Sequence, residues 1–179
     1  MPHAIEAIPN DTQGVLTLDP HVRRVGYGYV KQDRLLDWGV KNVSSRTPSV
    51  PIDRSVMPLL VGLLDRFSPA VVLVPSVQVR RWRRSSLVKS AIDALTVEAV
   101  QRGIAVYAFA DADVKRRIGQ ASGMPMPNKD AINAVIVRRF PELAAAVPKA
   151  RRLWDPERYY TPLFNAVAMY LAWHDPNAD

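Results

Sequence analysis

Few residues in this chain are suited to chemistry. Asp19 closes a short apolar run, Val15-Leu16-Thr17-Leu18, and Pro20 follows it, so a buried strand would deliver its carboxylate at the strand's C-terminal end. A single carboxylate holds a hard divalent cation poorly. Whatever Asp19 does therefore depends on which acids converge on it. Asp111 and Asp113, after a later apolar run, are candidates, and Glu157 is a weaker one. Each acid also has an ordinary structural use: Asp19 in an Asx-type turn, Asp111 as a helix cap, Glu157 at its own helix N-terminus. His3, His21 and His174 do not form a spaced ligand set, and only His21 lies near Asp19, as a candidate contact for phosphate or water. The chain has no cysteine, which excludes disulfides and cysteine-bound metals and suits a reducing cytoplasm.

Arginine is the other chemically suggestive residue type. The densest run is Arg80, Arg81, Trp82, Arg83 and Arg84, with pairs at Arg23-Arg24, Arg116-Arg117, Arg138-Arg139 and Arg151-Arg152. Guanidinium forks match phosphate oxygens and an interleaved indole can stack on a base, so nucleic acid is the expected partner. Isolated pairs are as easily solvated helix faces. The run from Arg80 to Arg84 is not so readily dismissed, because consecutive residues cannot all share one helix face. The formal charge of +7 and pI near 10.0 agree with that partner.

The elements that must position these groups follow from periodicity. At 179 residues and 48% hydrophobic, the chain suits one domain over residues 14 to 174, between a flexible tail to Gln13 and a short tail from residue 175 to 179. No apolar run approaches the roughly 20 residues needed to span a bilayer, and no signal peptide is evident, so a soluble cytoplasmic protein is expected. Beyond the first strand, Gly26-Tyr27-Gly28-Tyr29-Val30 reads as a second strand, Lys31-Gln32-Asp33 as a turn, and Leu35 to Val43 as a third strand. A link from Ser44 to Ile52 leads to a helix whose face carries Val56, Leu59, Leu60, Leu63, Leu64 and Phe67. Pro58 is tolerable in a first turn, which argues for Ser55 rather than Asp53 as the cap.

Val71 to Val74 is a fully apolar fourth strand, and Ile104 to Phe109 a fifth. Between them a helix from Ser85 to Arg102 presents Val88, Ala91, Ile92, Leu95 and Ala99 on one side and stops at Gly103. That strand-helix-strand unit predicts a parallel pair. A short helix from Asp111 to Ile118, a mobile Gly- and Pro-rich loop from Gly119 to Pro127, and a helix capped by Asn128 follow. Val147 to Leu153 is a basic link. The last helix starts at Asp155-Pro156-Glu157 or restarts at Pro162 after Thr161, and it runs to His174. From Leu163 to Trp173 it is apolar nearly all round, with Asn165 its sole strongly polar side chain.

The order of elements, with an acid closing the first strand, is that of the α/β ribonuclease H-like fold: three antiparallel strands, then two parallel ones, flanked by helices. LDPHVRRVGYGYV resembles the first motif of the RuvC-type Holliday-junction resolvases, and DRLLDWGVKNV, the arginine run with Ser85-Ser86, and RRFPELA resemble RuvC-like relatives. The resemblance spans Gly14 to His174. It implies a site in which three or four carboxylates bind two divalent ions, Mg2+ or Mn2+, for phosphodiester hydrolysis. Asp19 matches the first acid. The second falls in Val71 to Val77, where Pro75 and Ser76 supply no carboxylate, and the last falls at Asn165. The resemblance also implies a homodimer matched to a symmetric junction.

Two functional classes are therefore expected. One is a nucleic-acid binder recognising branched or otherwise structured DNA through Arg23, Arg24 and Arg80 to Arg84 with Trp82, its metal site largely lost and no cofactor required. The other is a Mg2+- or Mn2+-dependent endonuclease with a rearranged site built on Asp19 with Asp111 or Asp113. An actin-like or sugar-kinase ATPase is set aside, because His21-Val22-Arg23-Arg24 stands where a Gly-rich phosphate loop would follow the acid.

Overall fold

A mixed five-stranded sheet organises the computed structural model, which describes residues 14–43, 52–77, 86–148 and 159–174. The strands are β1 (Val15–Pro20), β2 (Arg24–Lys31), β3 (Arg34–Asn42), β4 (Val71–Pro75) and β5 (Ala105–Phe109). Their order across the sheet is β3-β2-β1-β4-β5. β1, β2 and β3 pair antiparallel, whereas β4 runs parallel to both β1 and β5. β1 and β4 lie inside the sheet with helices on both faces, which is why both are apolar without the alternation of a half-exposed strand.

The helices divide between the two faces. α1 (Ile52–Phe67) and α2 (Ser86–Gln101) cover one, against Leu16, Leu18, Val72 and Val74. α3 (Asp111–Ala121), α4 (Lys129–Arg139), a 3-10 turn (Pro141–Ala146) and α5 (Thr161–His174) cover the other, against Val15, Val30, Val71 and Leu73. Because side chains alternate along a strand, Val15, Thr17 and Asp19 all point to the α5 side.

Several expected boundaries moved. α1 begins at Ile52 and not at Ser55, so Pro58 sits inside the helix and removes one backbone hydrogen bond there. α3 continues through Ala121, taking in the first residues of the expected loop. Gly119 allows this: a Cβ there would stand 2.4 Å from the Met124 carbonyl oxygen, where the chain folds back on the helix. β5 begins at Ala105, one residue after Ile104. α5 starts at Thr161, so the restart at Pro162 describes the chain and Asp155-Pro156-Glu157 lies outside the described residues. The buried side of α2 is the expected set of Val88, Ala91, Ile92, Leu95 and Ala99, and Asn128 Oδ1 caps α4 by accepting from the Ala131 N–H at 2.8 Å.

Two polar clusters pin the β2–β3 hairpin. Gln32 and Asp33 turn the β2–β3 hairpin at positive φ, and the Asp33 carboxylate receives Arg139, the Tyr170 hydroxyl at 3.1 Å and His174. That ties the turn to the ends of α4 and α5. On the opposite face Tyr29 stacks on Phe67 with ring centroids 4.5 Å apart, and the Tyr27 hydroxyl donates to Asp37, which Arg66 also holds. Burial, followed by the hydrogen bond and charge of Asp37, pushes the Tyr27 phenol up to about 12. A raised phenol stabilises the fold below its unfolded value near 10, and that contribution fades as pH climbs to about 12. The stability gap between the wild type and Tyr27→Phe should therefore close across that window in urea titrations; a gap that stays constant would contradict this.

Candidate functional site

Asp19 is the penultimate residue of β1, with its side chain 1% exposed. Its neighbour across the β1–β2 pair is Gly26, and Thr17 likewise faces Gly28. The spacing of these glycines decides what can approach from the α5 side. A Cβ on Gly26 would lie 2.1 Å from the Pro162 carbonyl carbon, and one on Gly28 would lie 3.2 Å from Val167. The alternation of small and aromatic residues in β2 thus has a cause: glycines face α5 and let its backbone touch the sheet, while Tyr27 and Tyr29 pack on the α1 side.

This close approach brings Asn165 to Asp19. The Asn165 amide Nδ2 donates to Asp19 Oδ2 at 2.9 Å. His21 joins them, its Nε2 also 2.9 Å from Asp19 Oδ2. His21 is steered there by the tight β1–β2 connection, which its backbone N–H closes on the Arg24 carbonyl at 2.7 Å. An ionised carboxylate only accepts, so with Asp19 charged the imidazole proton resides on Nε2. Asp19 Oδ2 therefore receives two side-chain donors, one of them from His21, a candidate contact for phosphate or water.

The other described candidate acids lie on α3. Asp111 and Asp113 occupy the first turn of α3, beyond the edge strand β5, and β4 separates β5 from β1. Two strand spacings come to about 10 Å. Each is engaged within its own helix, Asp111 with Lys115 at 2.8 Å and Asp113 with Arg116 at 3.2 Å. Asp111 is the first helical residue and not the cap, which is Ala110. At the end of β4, Pro75 pairs with Phe109 and the Ser76 N–H donates to the Phe109 carbonyl at 2.8 Å, and neither Pro75 nor Ser76 carries a carboxylate. Among the described residues no three His, Cys, Asp or Glu side chains gather where they could hold a metal ion.

Arg23 is exposed in the β1–β2 connection, and Arg24 opens β2 with its guanidinium 5.7 Å from the centre of the Tyr159 ring. The run Arg80 to Arg84 with Trp82, and Glu157, lie outside the described residues. Sequence reasoning passed over Tyr159 and Tyr160, the exposed aromatic pair just before α5. Two adjacent tyrosines at a helix start were the available signal.

The comparisons with known proteins agree with this architecture. A family model described as crossover junction endodeoxyribonuclease RuvC matches residues 15–150. The crossover junction endodeoxyribonuclease RuvC of Myxococcus xanthus (strain DK1622) is 35% identical over 139 residues, 74% of this chain and 70% of that protein. Among solved structures, Thermus thermophilus RuvC in complex with Holliday junction substrate superposes with a TM-score of 0.64 at 23% identity, covering 89% of this chain and 92% of that one. The yeast mitochondrial Holliday junction resolvase superposes at 0.51 with 14% identity over 90% and 79% of the two chains.

Proposed function

The chain belongs to the RuvC family of crossover junction endodeoxyribonucleases, and from that premise we propose that it binds branched or otherwise structured DNA while the family's two-metal nuclease site has largely been lost. The observation that carries the reading is the hydrogen bond from Asn165 to Asp19. At the position where the resemblance places a last acid, a neutral amide donates to the first. A carboxylate there would repel Asp19 unless a cation lay between them, whereas the amide satisfies it directly.

Among the described residues, the groups that reach Asp19 Oδ2 do not suit a pair of divalent ions. Magnesium is held by carboxylates and other oxygen ligands. Asp19 Oδ2 meets an amide and an imidazole, and both direct N–H groups at the carboxylate. The reading therefore needs no cofactor. The retained Asp19 is what favours the alternative, a Mg2+-dependent endonuclease with a rearranged acidic site.

Binding would come from the basic surface, +7 overall, with Arg23, Arg24 and the run Arg80 to Arg84 with Trp82 as its contacts. A two-fold dimer in the cytoplasm, presenting this surface twice to a symmetric junction, completes the proposal. No described helix is long and apolar enough to cross a membrane.

The test is a titration of junction DNA against salt. Affinity should fall steeply as salt rises, and replacing Arg80, Arg81, Arg83 and Arg84 by Ala should weaken binding and lower the log–log slope by up to about 4, roughly one per phosphate contact removed. Salt-insensitive binding, or an unchanged slope in the variant, would count against the surface.

A further inference from the structure

We propose that the Tyr159–Tyr160 pair offers a ring face on which an unpaired nucleobase stacks, with Arg24 over the Tyr159 ring and its sequence neighbour Arg23 to meet the adjoining phosphates. The proposal rests on the DNA-binding reading and adds to it the feature by which a branch or single strand is told from duplex.

The two residues are 44% and 37% exposed, adjacent in sequence and directly before α5. They are fixed in place. Tyr159 and Tyr160 meet edge to face, with centroids 5.0 Å apart and planes at 88°. The Tyr159 hydroxyl donates to the Val40 carbonyl at 3.3 Å, and the Arg24 guanidinium stands 5.7 Å from its ring centre. An aromatic surface already held in position loses little side-chain freedom when a base stacks on it. Every base has a π-face, so such a platform accepts any sequence but requires that the base be out of its pair.

The location suits this use. Asp19, Gly26 and Val40 lie abreast in neighbouring strands, so Val40, whose carbonyl anchors the Tyr159 hydroxyl, stands about two strand spacings, roughly 10 Å, from Asp19. The same segment carries Pro162 over Gly26 and Asn165 to Asp19. Arg23 is exposed in the β1–β2 connection, next in sequence to Arg24, whose guanidinium lies over the Tyr159 ring. A base seated on the tyrosines would leave its phosphates toward these arginines. The basic charge of the chain favours a polyanion over a peptide as occupant.

The experiment compares a forked DNA having unpaired bases with a fully paired duplex of the same length, for wild type, the double variant Tyr159→Ala/Tyr160→Ala, and the ring-retaining Tyr159→Phe/Tyr160→Phe. A 2-aminopurine in the unpaired arm reports stacking by its quenching. The expected result is an about tenfold loss of fork affinity in the alanine variant, with duplex affinity within about twofold and quenching abolished. The phenylalanine variant should bind and quench as wild type does. Alanine variant binding with wild-type affinity and quenching would overturn the stacking face alone, as would equal losses on fork and duplex. A wild type that binds neither DNA would overturn the stacking face together with the reading beneath it.

Discussion

Gly26→Ala is expected to destabilise the protein by about 3 kcal/mol or more, the upper end of what overpacking costs. Ala normally improves a strand position over Gly by reducing the entropy lost on folding, a gain of roughly 0.5–1 kcal/mol. Here the added methyl would lie 2.1 to 2.3 Å from the Pro162 and Leu163 backbone, and backbone cannot swing aside as a side chain end can. Either α5 lifts from the sheet or β2 bends. Gly28→Ala provides the control: its methyl would meet Thr17 Oγ1 at 3.1 Å and Val167 Cγ2 at 3.2 Å, both side-chain atoms, for a cost of about 1 kcal/mol. Urea midpoints at a common m-value measure the difference. If both variants unfold together, α5 does not rest on Gly26. The difference matters for function, because α5 held at that distance is what brings Asn165 to Asp19.

Asn165→Asp is expected to be the most informative change in the site. It removes the amide that donates to Asp19 and places a second carboxylate against the first, behind a side chain that is 1% exposed. The lost charge-assisted hydrogen bond and the like-charge repulsion together should lower stability by about 2 to 4 kcal/mol in EDTA at neutral pH. The sign with pH follows from the pair. One of the two carboxyls in the variant titrates above the usual value near 4, so the deficit should shrink as pH falls through that raised value and grow as pH rises. Mg2+ or Mn2+ should return part of the lost stability to the variant by neutralising the pair, and should leave the wild-type melting temperature unchanged. A wild type stabilised by either ion would mean that Asp19 already belongs to a metal site.

Much of the fold was legible because local rules and tertiary demands agreed. Unbroken apolar runs identified β1 and β4 as interior strands, the spacing of Val88, Ala91, Ile92, Leu95 and Ala99 gave the buried side of α2, and Asn128 capped α4 as its residue type suggested. The misplaced boundaries came from competing signals. Pro58 was assigned to a first turn because proline interrupts a helix, but α1 tolerates it farther in. Gly119 looked like a loop residue although α3 uses it for close packing against Met124 and Pro127.

The site was less legible because it depends on contacts between distant segments. Asp19 and Asn165 are 146 residues apart, and only the family resemblance linked them; no periodicity does so. The Gly-Tyr-Gly pattern was visible, but its reason lay in the backbone of Pro162 and Leu163. His21 was noted near Asp19 in sequence, yet its bond to the carboxylate follows from the tight hairpin after β1. Asp111 and Asp113 drew interest by following β5, and their engagement by Lys115 and Arg116 emerged only with α3 in view.

The most direct test of the central claim is incubation of the purified protein with a four-way DNA junction and Mg2+ or Mn2+, with binding and strand scission followed on the same sample. The junction should be bound in a salt-sensitive manner and remain uncut. Metal-dependent cleavage by the wild type that is abolished in Asp19→Ala would contradict it.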